Sequence, residues 1–406
     1  MSLASIQGVN LLAPLLTLPY LARVLGFEGL GLLATAAATC AWFGILIDWG
    51  FNLTATRAVS TSREVPGEVA RIYTGVMCAK SALILISLLV LLIMALVLPS
   101  VRQYCAVYIY SFALVATQAL FPTWIFQAME RMASVAVVNA VGKVIAAAVI
   151  LLAVHRPTDV ALVPLINTVV ALLAAAATTY NLHARLGVRL LRPKLEYMKK
   201  VVKDGGAIFI ATAAGNIYSQ GPVLILNVFS DIASVGKYSI AQKIATASVS
   251  LFQSLAQAYF PRLSRLWLSS PKEFLQLVKR SVLSTQLASA ALLGTLFAGA
   301  PLVYLLLTGA HDDVGITAIR YWLVIGQLTV LCVMLNPVLI SIGRDRDMAR
   351  MYVACSVLFL VYSCALTKMF ALQGMLRSMV LVELSIAIVS VITLRRGIRK
   401  VSGLVK

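Results

Sequence analysis

Apolar runs of roughly 18 residues or more recur from one end of this 406-residue chain to the other, each long enough to cross a ~30 Å hydrocarbon core as a helix. A backbone in lipid must satisfy its own N–H and C=O groups, so the runs are read as helices rather than strands. Charged residues are only 12% of the chain, where a soluble protein carries about 25%. Twelve spans are placed at 3–24, 29–50, 72–98, 104–127, 133–153, 160–182, 205–229, 235–258, 282–307, 316–341, 350–369 and 376–394. The first apolar run is read as the first span, because no basic leader and no small-residue cleavage site accompany it.

Charge sets the orientation. With twelve spans, 24 of the 34 Lys and Arg fall on the side that carries both termini. Arg57, Arg63, Arg131, Arg189, Lys194, Arg262, Arg396 and Lys406 are among them, and the opposite side holds five. A bias of this size makes the basic side cytoplasmic, with both termini inside. The net charge of +19 is then read as an address label touching anionic lipid, and nucleic acid is not expected as a partner.

The longest cytoplasmic connection has a basic, helically spaced stretch, Pro193 to Asp204, that reads as an interfacial helix. It divides the chain into an N-terminal six-helix bundle (1–184), a basic linker (185–204) and a C-terminal six-helix bundle (205–406). The halves carry a weak repeat. Asn10 lies 21 residues before Gly31 of Phe27-Glu28-Gly29-Leu30-Gly31, and Asn216 lies 20 before Gly236 of Val235-Gly236-Lys237-Tyr238. Six spans per half make this a parallel repeat, an arrangement that puts a substrate cavity between the halves.

Ionisable residues inside spans are the strongest local signal, since each costs roughly 2.5–3.5 kcal/mol at the bilayer centre. Lys143 is mid-span, about 12 residues or ~18 Å from the cytoplasmic end, beyond easy snorkelling. Lys80 and Lys243 lie about one third of the way in, and Glu383 is mid-span in the last helix. Arg320 and Arg377 sit near span ends and reach the interface. A cationic cavity built from Lys143, Lys80 and Lys243 would hold an anionic substrate; the competing reading is a set of snorkelling or internally paired charges, such as Glu383 with a basic neighbour. Asp48 and Glu130 lie at cytoplasmic span ends, where a gate competes with a plain solvated position.

Carboxamides also recur inside spans, among them Asn139, Asn167, Gln253, Gln257, Gln327 and Asn336. They match sugar hydroxyls chemically, although hydrogen bonds between helices explain most such residues. The six cysteines form no CxxC pair and read as buried free thiols. The chain has no P-loop, no HExxH, no nucleophile motif with a His partner and no ATPase signature. Neither an enzyme nor a cofactor is expected.

Four blocks resemble the O-antigen flippases (Wzx type) of the polysaccharide transporter family. They are Pro14-Leu-Leu-Thr-Leu-Pro-Tyr-Leu-Ala-Arg-Val-Leu-Gly26, Ile47-Asp-Trp-Gly-Phe-Asn-Leu-Thr-Ala-Thr-Arg57, Phe121-Pro-Thr-Trp-Ile-Phe-Gln-Ala-Met-Glu130, and Ala241-Gln-Lys-Ile244 with Phe260-Pro-Arg-Leu-Ser-Arg265. Family members usually carry further residues ahead of Gln7. The resemblance implies an all-α, MATE-like membrane fold of two six-helix bundles. It implies outward flipping of an undecaprenyl-pyrophosphate-linked oligosaccharide across the bacterial inner membrane, beside a polysaccharide polymerase and a chain-length regulator. Asp48, Arg57 and Glu130 match its motif positions and, with Glu383, are candidates for gating or coupling. A MATE-type drug or cation exporter is the runner-up; it would favour intramembrane carboxylates. A membrane polymerase or ligase would need a sizeable outer loop, and the outer loops here are short.

Overall fold

The computed structural model describes residues 3–402 apart from 64, 66, 189, 193 and 194. Arg189, Pro193, Lys194 and Lys406 of the cytoplasmic reading lie outside the described residues. The chain forms two compact units, Met1–Asn216 and Ile217–Lys406.

The first unit contains α1 (Leu3–Asp48), α2 (Phe51–Thr61), α3 (Glu68–Val97), α4 (Pro99–Gln103), α5 (Cys105–Leu120), α6 (Thr123–Ala128), α7 (Met132–Ala153) and α8 (Leu162–Leu186). It also takes in most of α9 (Leu195–Phe229), which runs on into the second unit. The second unit continues with α10 (Ile232–Ser269), α11 (Pro271–Ala298), α12 (Ala300–Thr308), α13 (Asp313–Ser341) and α14 (Asp345–Ser402).

Nine stretches among the described residues are long and apolar enough to cross a membrane. Two of them cross twice. α1 has 46 residues, ~69 Å at 1.5 Å each, far more than one bilayer needs. It breaks at Gly26, whose φ of 68° a glycine adopts without steric cost. α14, with 58 residues, breaks at Ala371 (φ 48°), and Gly374 lies directly against the Leu366 backbone. Eight residues of straight helix would hold those two positions ~12 Å apart, so the chain reverses there. α10 is the remaining crossing. Its polar residues keep it out of the nine, and they prove informative below.

The outer faces are apolar. Along α3, Leu85, Leu89, Ile93 and Leu96 are exposed at helical spacing, a stripe suited to contact with lipid. Inside the first unit, α1, α5, α7 and α8 pack together, with Phe43 edge-on to Phe112 at 5.7 Å. At the C-terminal end of α1 it has a second core, where Phe51, Tyr73, Trp124 and Ile125 gather under the short helices α2 and α6. The start of α9 packs on this core through Tyr197, Val201 and Val202 and leaves Lys199, Lys200 and Lys203 exposed. Trp49 fastens it, donating from Nε1 to the Val202 carbonyl at 2.8 Å and stacking on Phe209 at 4.2 Å. In the second unit α10 and α13 pack most extensively, with Tyr238 edge-on to Trp322 at 5.3 Å. Gln327 donates to Gln286 at 2.7 Å, an amide bond between helices of the kind that holds bundles together.

Candidate functional site

Two turns decide the local geometry of the first unit. α1 ends at Asp48, and Trp49 and Gly50 both adopt positive φ, which swings the chain into α2. α5 ends at Leu120 because Pro122 offers no N–H to continue it. The Thr123 N–H, which would have reached the Ala119 carbonyl, turns to Phe121 instead. Ala119 is thus an orphan carbonyl at a helix C-terminus, where a cation is favoured.

Lys80 supplies that cation. Its ammonium donates to the Ala119 carbonyl at 2.8 Å, to Asp48 Oδ1 at 3.2 Å and to Asn52 Oδ1 at 3.4 Å. The lysine is fully buried, and its charge is met by Asp48 rather than left open to a ligand. One residue thereby ties α3 to the ends of α1 and α5 and to α2.

On the other side of that same stretch of α5 lies a cavity of about 390 Å³, walled by α5, α7 and α8. Thr117, Gln118 and Phe121 line it, flanking the residue that Lys80 grips. Lys143, Asn139 and Asn167 line it from α7 and α8. Gly142 lets those two helices approach: a Cβ there would stand 3.3 Å from Val170. Among the described residues, the Lys143 ammonium has no hydrogen-bond or ion-pair partner. A lone cation with three carboxamides around it, within a membrane-embedded bundle, is suited to a ligand that is anionic and rich in hydrogen-bonding groups.

The remaining expected residues fall elsewhere. Glu130 occupies the left-handed position that closes α6 (φ 57°), with the Arg131 N–H reaching back to Phe126 O. Its carboxylate accepts from Arg63 at 3.0 Å in an exposed ion pair. Arg57 is exposed on α2 and has no side-chain partner among the described residues. In the second unit Lys243 is exposed while Ala241, Ile244 and Ala245 beside it are buried. Glu383 is buried on α14 and accepts from Tyr218 at 2.5 Å and Thr329 at 3.0 Å through the same oxygen. Its partners are hydroxyls, not the basic neighbour that pairing would have required.

Asn52, Ala119 and Gln118 are missing from the residues picked out in the sequence. Gln118 carries the same signal as the other span carboxamides. Asn52 and Ala119 gain significance only from the turns that bring them to Lys80.

At the start of α13 in the second unit, Asp312 caps the helix by accepting from the Val314 N–H. It also pairs with Lys237 at 2.7 Å and accepts from Tyr304 at 3.0 Å. Burial pushes its carboxyl up, but the bonds from Lys237 and Tyr304 and the Lys237 charge outweigh this and hold it below the usual carboxylate range.

The sequence family described as "Polysaccharide biosynthesis protein" matches residues 1–267. A protein of Escherichia coli (strain K12) named "Putative O-antigen transporter" is 29% identical over 378 residues, covering 91% of this chain and 89% of that protein. A protein of Shigella dysenteriae with the same name is 23% identical over 387 residues, covering 94% and 96%. Among solved structures, the lipid II flippase MurJ in an inward closed conformation superposes with a TM-score of 0.79 at 9% identity, over 98% of this chain and 90% of that one. An inward-facing multidrug resistance MATE family transporter gives 0.67 at 13% identity, over 96% and 98%. The fold is therefore MATE-like, an all-α membrane architecture of about twelve spanning helices.

Proposed function

Because the chain belongs to the polysaccharide biosynthesis protein family, we propose that it is a flippase for a lipid-linked oligosaccharide, working by alternating access. It would move an undecaprenyl-pyrophosphate-linked unit, of O-antigen or a related polysaccharide, from the cytoplasmic to the periplasmic leaflet of the bacterial inner membrane. The observation that carries this reading is the cavity holding Lys143. An unpaired ammonium inside a membrane bundle is unfavourable by roughly 2.5–3.5 kcal/mol, and a bound pyrophosphate would offset that cost. Asn139, Asn167 and Gln118 would meet the sugars or the phosphate oxygens beside it. Lys243 is the matching cation of the second unit.

On this reading Lys80 and Asp48 position the cavity wall, and Lys80 acts on substrate through the helix end it holds. Arg57 and the Arg63–Glu130 pair lie at the cytoplasmic rim, where the substrate arrives. Glu383 is the coupling group: a buried carboxylate with hydroxyl partners can take up a proton without losing a salt bridge. The chain is then a transporter rather than an enzyme. A polysaccharide polymerase and a chain-length regulator would receive its product.

A MATE-type exporter of cationic drugs would want a carboxylate facing the cavity. The carboxylate of Glu383 is enclosed by its own unit, and the charge lining the cavity walled by α5, α7 and α8 is positive. A strain deleted for the gene tests the reading. It should lose surface polysaccharide and retain lipid-linked intermediates on the cytoplasmic face, and a plasmid copy should reverse both. Unchanged polymer in a strain without a second flippase would overturn it.

A further inference from the structure

α10 carries a polar stripe that helix packing leaves unexplained. Lys243, Thr246, Ser250, Gln253, Gln257 and Phe260 follow one another at intervals of three and four residues, so they share one face of the helix. All are exposed except Ser250, which is half-buried. Ala245, Phe252 and Leu263, buried on the same helix, fall on a different face and are apolar.

Thr246 and Ser250 donate to carbonyls of their own helix, at 2.8 Å and 2.6 Å, and keep lone pairs to accept from a ligand. The Gln253 and Gln257 carboxamides have no hydrogen-bond partner among the described residues. Against hydrocarbon, each would forfeit several hydrogen bonds, at several kcal/mol per unsatisfied group. The stripe must therefore face water or a polar ligand. It explains why α10 is too polar to rank with the other crossings.

Toward the cytoplasmic end the stripe opens into a cavity of about 290 Å³ against α13, close to the lower bound of small-molecule pockets. Gln253, Gln257 and Phe260 form one wall, and Asn336 and Pro337 the other. Asn336 is held in place by Tyr352, whose hydroxyl exchanges hydrogen bonds with it at 2.9 and 3.2 Å. None of the described residues lining this cavity is charged. Three carboxamides and an aromatic ring, with no ion, suit a neutral polyhydroxylated ligand and make a poor site for a phosphate.

We propose that this face of α10, with Asn336 opposite, is a saccharide subsite that recognises sugar rings independently of the phosphate carried by the same substrate. Gln253 and Gln257 lie about 10 and 14 residues from Lys243, roughly 15 and 21 Å along the helix. A phosphate at Lys243 would leave the sugars of one substrate to run along the stripe. The inference rests on the flippase reading and assigns it a second recognition element.

The test uses the full-length protein in lipid nanodiscs and two probes, undecaprenyl pyrophosphate without sugar and the lipid-linked oligosaccharide extracted from the host. The wild type should bind the sugar-bearing probe more tightly. The double variant Q253A/Q257A should lose about tenfold in affinity for that probe, about 1.4 kcal/mol, and bind the bare carrier as the wild type does. Unchanged binding of the bare carrier doubles as the control for folding, and F260A should reproduce part of the loss. A double variant that binds the sugar-bearing probe as the wild type does would overturn the subsite and leave the flippase reading intact. So would a wild type that binds both probes equally. A wild type that binds neither probe would overturn both.

Discussion

Lys80 and Asp48, 32 positions apart, meet as a 3.2 Å ion pair whose lysine also holds the orphan carbonyl of Ala119. The lysine side chain is 1% exposed and the aspartate 27%, so the pair is largely withdrawn from solvent. Removing one partner of such a pair leaves the other uncompensated. K80M or D48N alone should cost about 3 kcal/mol, and the double K80M/D48N less than the sum of the two. Thermal unfolding in detergent measures this, and additive effects would count against coupling.

Lys143 should behave in the opposite way. It has no partner among the described residues, so K143A removes a cost rather than a contact. Its unfolding temperature should stay at or above that of the wild type while surface polysaccharide is lost, with K143R keeping partial export. Normal export from a well-expressed K143A would remove Lys143 from substrate binding.

The contrast between the two lysines marks what a sequence can and cannot disclose. The spans, the one-sided bias of basic residues and the exceptional depth of Lys143 follow from hydropathy and charge, which are local. Lys80 lies less deep, but those measures do not tell a paired lysine from an open one. Its pairing depends on the Trp49–Gly50 turn and on Pro122 ending α5, which bring Asp48 and Ala119 to it from distant parts of the chain. Glu383 is similar: its buried position is legible, but its hydroxyl partners Tyr218 and Thr329 lie 165 and 54 positions away. The α10 stripe was legible in its spacing, yet the cavity it forms with α13 was not.

Glu383 gives a prediction about coupling. E383Q preserves an acceptor for Tyr218 and Thr329 and removes the titratable group. Transport by E383Q in proteoliposomes should no longer respond to an imposed pH gradient, whereas the wild type should. An undiminished response in the variant would exclude Glu383 as the coupling group.

The cluster at Asp312 makes stability depend on acid. Its carboxyl is held below the usual range in the folded protein, so its contribution is present above the unfolded carboxylate pKa of about 3.9 and is lost as pH falls through the folded value. D312N should cost about 2 kcal/mol at pH 7 and progressively less below pH 4. Unfolding temperatures of the two proteins across that range are the check, and a difference that stays constant would contradict the assignment.

Ala371 sits at φ 48° in the break of α14, a conformation that strains any residue with a Cβ. A371G should raise stability by about 1 kcal/mol without altering transport, as read by thermal unfolding. A destabilised variant would mean that the break is not strained.

The most direct measurement is transfer itself. Purified protein is reconstituted into liposomes with the host's lipid-linked oligosaccharide, and the fraction accessible to an external sugar-cleaving enzyme is followed over time. The wild type should exchange the lipid between leaflets far faster than protein-free vesicles, and K143A should match the empty vesicles. Equal rates with and without the wild-type protein would contradict the central claim.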